Sequence, residues 1–161
     1  MRRVVADTSP IFYLFSVGQI DLLPQLFGTI VIPAAVQREL THPTAPAALK
    51  EWSAQLPAWL EVTPVAATND AALNSLGIGE REAIALALSI HADLILIDER
   101  KGTSVALAKG LDVTGTLGIL RLAAQRGWID LAEAFDRLKR TNFRYRQETL
   151  DTLLNEITGE A

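Results

Sequence analysis

Three short runs, VVA at 4–6, IVI at 30–32 and LILI at 94–97, contain no polar residue. A strand with one face in water alternates apolar and polar side chains. A run without alternation belongs in a sheet covered on both faces, which is the habit of parallel sheets. Between these runs the apolar spacing changes to that of amphipathic helices. Strands are predicted over 3–6, 29–32, 60–63, 94–97 and 111–114. Helices are predicted over 11–15, 20–27, 34–41, 45–55, 70–76, 80–91, 101–109, 116–126, 131–140 and 147–157. This alternation implies a three-layer α/β/α domain with a central, mostly parallel sheet. Ligands of such sheets collect beyond the carboxyl ends of the strands.

With 161 residues, one domain is expected over 1–161. Its core would span about 3–126, with C-terminal helices at about 130–157 packed on it or on a partner. Hydrophobic residues make up 49 % of the chain, but no apolar run nears the roughly 18 residues needed to span a bilayer. No membrane association is expected. The N-terminus lacks the pattern of a signal peptide. There is no cysteine, which rules out disulfides and thiolate zinc sites and fits a reducing cytoplasm.

Two of the apolar runs stop at an acid. VVADTSP ends its strand on Asp7, and LILIDERKG ends on Asp98 followed by Glu99. Helix capping is the ordinary explanation of each. Ser9 and Pro10, however, read as the N-cap and first residue of the next helix, which would free Asp7 from capping. Glu39, in PAAVQREL, lies three residues after Val36 and can border an apolar stripe or sit in a surface ion pair. Glu80 and Glu82 open the helix of GEREAIALAL, where acids suit the helix dipole. Glu82 directly precedes a wholly apolar stretch, so an inward-facing glutamate is a second reading.

Several carboxylates gathered in one place repel one another unless a cation neutralises them. Oxygen donors without cysteine select a hard ion, Mg2+ or Mn2+. Such an ion activates water and stabilises attack on a phosphodiester. His42 and His91 read as a turn residue and a helix end, and Trp52, Trp59 and Trp128 as packing residues.

The net charge of −4 argues against nucleic-acid binding by bulk positive charge. The distribution is uneven, because five of the fifteen Lys and Arg fall within 137–146, interleaved with Phe143 and Tyr145. This stretch reads either as a solvated helix face and loop or as an RNA contact through Arg140, Arg144 and Arg146. An aspartyl-nucleophile phosphatase would want a second acid two residues after Asp7, where this chain has Ser9. A dinucleotide site would want three spaced glycines after the first strand, and GTLGIL fits neither requirement.

Taken together, VVADTSP, IPAAVQREL, GEREAIALALSIHADLILIDERKG and LDVTGTLGIL resemble the PIN-domain family, in particular its VapC-type toxin branch, over residues 3 to about 126. In that family, acids at the end of the first strand, in the following helix, at the head of a buried helix and after the next strand hold Mg2+ or Mn2+ for RNA cleavage. The resemblance implies that Asp7, Glu39, Glu82 and Asp98 are the catalytic metal ligands. The family often has aspartate third, whereas this chain has Glu82 with Glu80 as a competitor. The fourth acid is doubled as Asp98–Glu99. The turn 114–116 matches a family position near the active site, and its local reading is Thr116 as a helix cap. The resemblance further implies a metal-dependent endoribonuclease, the toxin of a type II toxin–antitoxin pair. It also implies RNA as substrate, a small antitoxin as partner and a homodimer. The alternative is a catalytically inactive PIN-like module that binds RNA or protein.

Overall fold

The computed structural model describes residues 2–67 and 69–159. Strand β1 (Val4–Ala6) runs into helices α1 (Thr8–Ser16) and α2 (Leu22–Phe27). Strand β2 (Ile30–Pro33) is followed by α3 (Ala34–Leu40) and α4 (Ala47–Ala54), and β3 (Leu60–Thr63) leads to α5 (Ile78–Ser89). Then come β4 (Leu94–Leu96), α6 (Arg100–Ala108), β5 (Val113–Thr114), α7 (Thr116–Gln125), α8 (Leu131–Lys139) and α9 (Gln147–Gly159).

The five strands form one sheet in the order β3-β2-β1-β4-β5, and every neighbouring pair is parallel. The apolar runs divide their side chains between two cores because successive residues of a strand point to opposite faces. Val4, Ala6, Ile30, Ile32, Leu94 and Leu96 face one core with Leu14 of α1, Leu120 of α7 and Phe135 of α8. Val5, Ile95 and Ile97 face the other with Ile84 of α5 and Ala106 of α6. The α/β/α layering and the parallel sheet are therefore as the sequence implies. Among the described residues no helix is long and apolar enough to cross a membrane.

Three local expectations are corrected. Residues 70–76 form turns rather than a helix. There the Asp70 carboxylate accepts the Ala72 amide at 3.0 Å, and the Leu73 and Leu76 amides bond three residues back. A local aspartate bond of this kind competes with helix continuation. Helix α1 starts at Thr8 instead of behind Ser9, with Asp7 in the N-cap position. Pro10 fits inside the first turn, where a missing N–H costs nothing. Trp128 is 43 % exposed, with the Arg126 guanidinium 5.2 Å from its ring, whereas Trp52 and Trp59 pack against each other as expected.

Candidate active site

After β3 the chain crosses back to place β4 on the other side of β1, so the strand order reverses between β1 and β4. A crevice opens beyond the carboxyl ends of two strands at such a switch point. Ala6 pairs with Leu96, and the Asp7 amide donates to the Leu96 carbonyl at 2.9 Å as the last rung between the strands. The residues just past this rung are Asp7 on one strand, and Asp98 and Glu99 on the other. The two acids that end apolar runs are brought together by this register.

A cleft of about 290 Å³ lies there, lined by Asp7, Thr8, Phe12, Tyr13, Glu39, Gly79, Glu80 and Glu99. Asp7 is only 5 % exposed, makes no side-chain cap bond to α1, and its Oδ1 is buried without a hydrogen-bond partner. Glu39 reaches the cleft from α3 and accepts a short hydrogen bond from the Thr8 hydroxyl. Glu80 comes from the first turn of α5 and shares a hydrogen bond with Glu99.

Glu82 is not on this cleft. It accepts the Ala35 amide at 3.1 Å and lies 3.8 Å from the Arg38 guanidinium, which ties α5 to the start of α3. Residues two apart on a helix point about 200° from each other, so one of the two glutamates had to face away. Glu80 lies three, four and seven residues before Ala83, Ile84 and Ala87, all buried against the sheet, so it continues their face. Of the two competing glutamates, Glu80 lines the cleft and Glu82 does not.

The strand-end pair also divides its work in an unexpected way. Glu99 caps α6 by accepting the Gly102 amide at 2.7 Å, while Asp98 accepts both the amide and the hydroxyl of Thr116, each at 2.7 Å. Asp98 is thus the distant cap of α7, whose own N-cap residue is Gly115. Thr116 is a donor to Asp98 and not itself the cap. With both oxygens on Thr116, Asp98 opens onto an adjoining groove rather than the cleft, which leaves Glu99 as the β4-end acid that lines it.

Glycines make room for these carboxylates. A Cβ on Gly79 would lie 2.5 Å from Glu39 Oε1, and one on Gly102 would lie 2.8 Å from Glu80 Oε2. A Cβ on Gly115 would stand 2.6 Å from Asp98 Oδ1. The GIGE, RKG and TGT stretches are therefore glycine-bearing where the acids come close.

The crowding shows in the acidities. Burial pushes Asp7 up to about 7; the Thr8 amide opposes this, and the charges of Glu39, Asp98 and Glu99 add to it. Glu80 is also pushed up to about 7, by burial first, then by its bond to Glu99 and the charges of Asp7, Glu99 and Glu39. Burial raises Asp98 against the pull of Thr116. Burial acts to raise Glu99 as well, but the Gly102 and Lys101 amides, the Glu80 bond and the Lys101 charge outweigh it and hold Glu99 low. Within this hydrogen-bonded pair Glu80 is therefore the weaker acid.

Among the described residues, none of Asp7, Glu39, Glu80, Asp98 and Glu99 forms an ion pair with a basic side chain. An all-oxygen donor set with one buried oxygen left over suits a hard divalent cation. In the conformation seen, no three carboxylate or imidazole groups among the described residues stand close enough to hold one ion.

Of the basic residues, Arg144 and Arg146 line one groove together with Arg100, and Arg140 is not among its lining residues.

No curated protein and no solved structure matches the chain. A family model described as a PIN domain matches residues 3–159. Members of that family are generally nucleases, and an acid cleft at the switch point of a parallel sheet is consistent with nuclease chemistry. The match takes in the C-terminal helices as well as the sheet and its acids, and the chain belongs to the PIN-domain family.

Proposed function

We propose that the protein is an Mg2+- or Mn2+-dependent endoribonuclease, of the kind that serves as the toxin of a type II toxin–antitoxin pair. The observation that carries this reading is Asp7: a buried carboxylate with an unpartnered oxygen, among four other acids, none of which, among the described residues, forms an ion pair with a basic side chain. Folding such a group without a counter-charge is costly. A divalent cation held by these acids would offset that cost and would supply Lewis acidity for phosphodiester hydrolysis.

Asp7, Glu39, Glu80 and Glu99 would hold the ion. Asp7 is fixed by the β1–β4 rung, Glu39 by the Thr8 hydroxyl and Glu99 by the Gly102 amide. Asp7 and Glu80, both pushed up to about 7, must release their protons for the set to become fully anionic. Asp98, locked on Thr116, adds negative charge close to Asp7 without entering the cleft. A small antitoxin that covers the acid cleft, and a homodimer in solution, belong to the same reading.

The test is incubation of single-stranded RNA with the protein in Mg2+, in Mn2+ and in EDTA. Internal cleavage is expected with either ion and not in EDTA, and Asp7→Asn should abolish it with an unchanged circular-dichroism spectrum. RNA left intact by the wild type under all three conditions refutes the enzyme and leaves a binding module. For the toxin role, expression of wild type should arrest growth of the host and Asp7→Asn should not.

A further inference from the structure

Outside the acid cleft, the molecule carries a concentration of charge that the fold does not use. Arg144 and Arg146, in the connection between α8 and α9, meet Arg100 at the first residue of α6 around a groove of about 420 Å³. Leu117, Tyr145 and Thr149 complete its walls, and no acid lines it. Among the described residues none of the three arginines makes an ion pair or a side-chain hydrogen bond. In a chain with net charge −4, three unneutralised guanidinium groups around one concavity are electrostatically unfavourable. A row of phosphates would reverse that sign.

Tyr145 is the second feature. It is 40 % exposed and, among the described residues, stacks on no other ring. A positive groove with an exposed aromatic suits a single strand, whose bases offer free faces for stacking. A duplex keeps those faces covered.

The third feature is position. The groove shares Leu117 and Arg144 with the neighbouring groove where Asp98 and Phe143 lie. Phe143 packs edge-on against Tyr13 with ring centroids 4.9 Å apart, and the Tyr13 hydroxyl donates to Asn142 at 2.8 Å. Tyr13 in turn lines the acid cleft. The basic groove is therefore anchored to the wall of the acid cleft.

We propose that this groove holds the single-stranded RNA that flanks the scissile phosphate, with Arg100, Arg144 and Arg146 on its phosphates and Tyr145 stacked on a base. The assignment rests on the ribonuclease reading and deepens it. Arg100, far from the C-terminal basic run in sequence, becomes part of the RNA path, and Arg140 falls outside it.

The test is fluorescence polarisation with a labelled single-stranded oligoribonucleotide in EDTA, which reads binding apart from cleavage. The variant Arg100→Ala/Arg144→Ala/Arg146→Ala should bind at least tenfold more weakly. Its slope of log affinity against log salt should be shallower by about 2, at about 0.7 for each phosphate contact. Tyr145→Ala should weaken binding about tenfold, while Tyr145→Phe and Arg140→Ala should bind as wild type does. The tyrosine pair tests the groove even if the triple variant misfolds. Wild-type affinity in the triple variant and in Tyr145→Ala, or no binding by the wild type at low salt, overturns the assignment. So does a polyglutamate peptide that displaces the RNA as well as unlabelled RNA does, because the groove would then fit an acidic protein segment. If RNA binds through the groove but is never cut with Mg2+ or Mn2+, the ribonuclease reading fails and the groove stands. If cutting needs Asp7 while the triple variant binds normally, the groove fails and the ribonuclease stands.

Discussion

Asp7→Asn, measured without metal, should change how stability depends on pH. Asp7 ionises at about 7 in the folded protein, whereas an unfolded aspartate ionises at about 3.9. A carboxyl raised by folding contributes stability that is fully present below the unfolded value and is lost as pH rises through the folded one. Near pH 5 the unfolded chain has largely ionised this group while the fold still protonates it, a loss of about 1.5 kcal/mol. Near pH 8 both states are ionised and the loss reaches about 4 kcal/mol. Between these two conditions the wild type should therefore lose roughly 2 to 3 kcal/mol through Asp7 alone, about 5–10 °C in Tm for a chain this size. The asparagine does not titrate. Any fixed cost of placing an amide in this buried position cancels when each protein is compared with itself at the two pH values. Asp7 also raises Glu80, so its removal weakens a second contribution of the same sign. Urea denaturation of both proteins in EDTA near pH 5 and pH 8 measures this. Parallel losses of stability in the two proteins would refute the claim that Asp7 is buried among uncompensated acids.

Three further outcomes follow from the same geometry. Glu80→Gln should abolish metal-dependent cleavage, whereas Glu82→Ala should keep it and lose about 1–3 kcal/mol in denaturation, because the Ala35 amide is left without its acceptor. Thr116→Val removes a hydroxyl that is fully buried and bonded to Asp98. It should cost about 1.5–3 kcal/mol, the worth of a hydrogen bond to a charged group, again read by denaturation. Gly115→Ala would press a methyl within 2.6 Å of Asp98 Oδ1 and 3.2 Å of the Ile97 carbonyl, so a loss of about 1–3 kcal/mol is expected in thermal melts.

The sheet was legible because its strands announce themselves: Val4–Ala6 and Leu94–Leu96 are buried throughout, and no half-exposed strand could tolerate that pattern. Asp7 was legible for the same reason, being the first polar residue after such a run. The choice between Glu80 and Glu82 needed the direction of the α5 face, which the apolar stretch after Glu82 obscured because both sides of this helix are largely covered. The exchange of roles between Asp98 and Glu99 was not legible at all. It depends on Thr116, eighteen positions along the chain, arriving beside Asp98 through the β4–β5 pairing. Arg100 was hidden in the same way, since only the fold sets the start of α6 beside Arg144 and Arg146. The turns at 70–76 show a local bond overriding an apolar spacing that looked helical.

The most direct test of the central claim is an anomalous difference map from crystals soaked in Mn2+ near pH 8. The acid-cleft account predicts a peak between Asp7 and the Glu80–Glu99 pair, with Asp7 Oδ1 among its ligands at about 2.0–2.6 Å, the range of hard cations on carboxylate oxygens. A map with no peak in that cleft, or with its peak at Glu82, would contradict it.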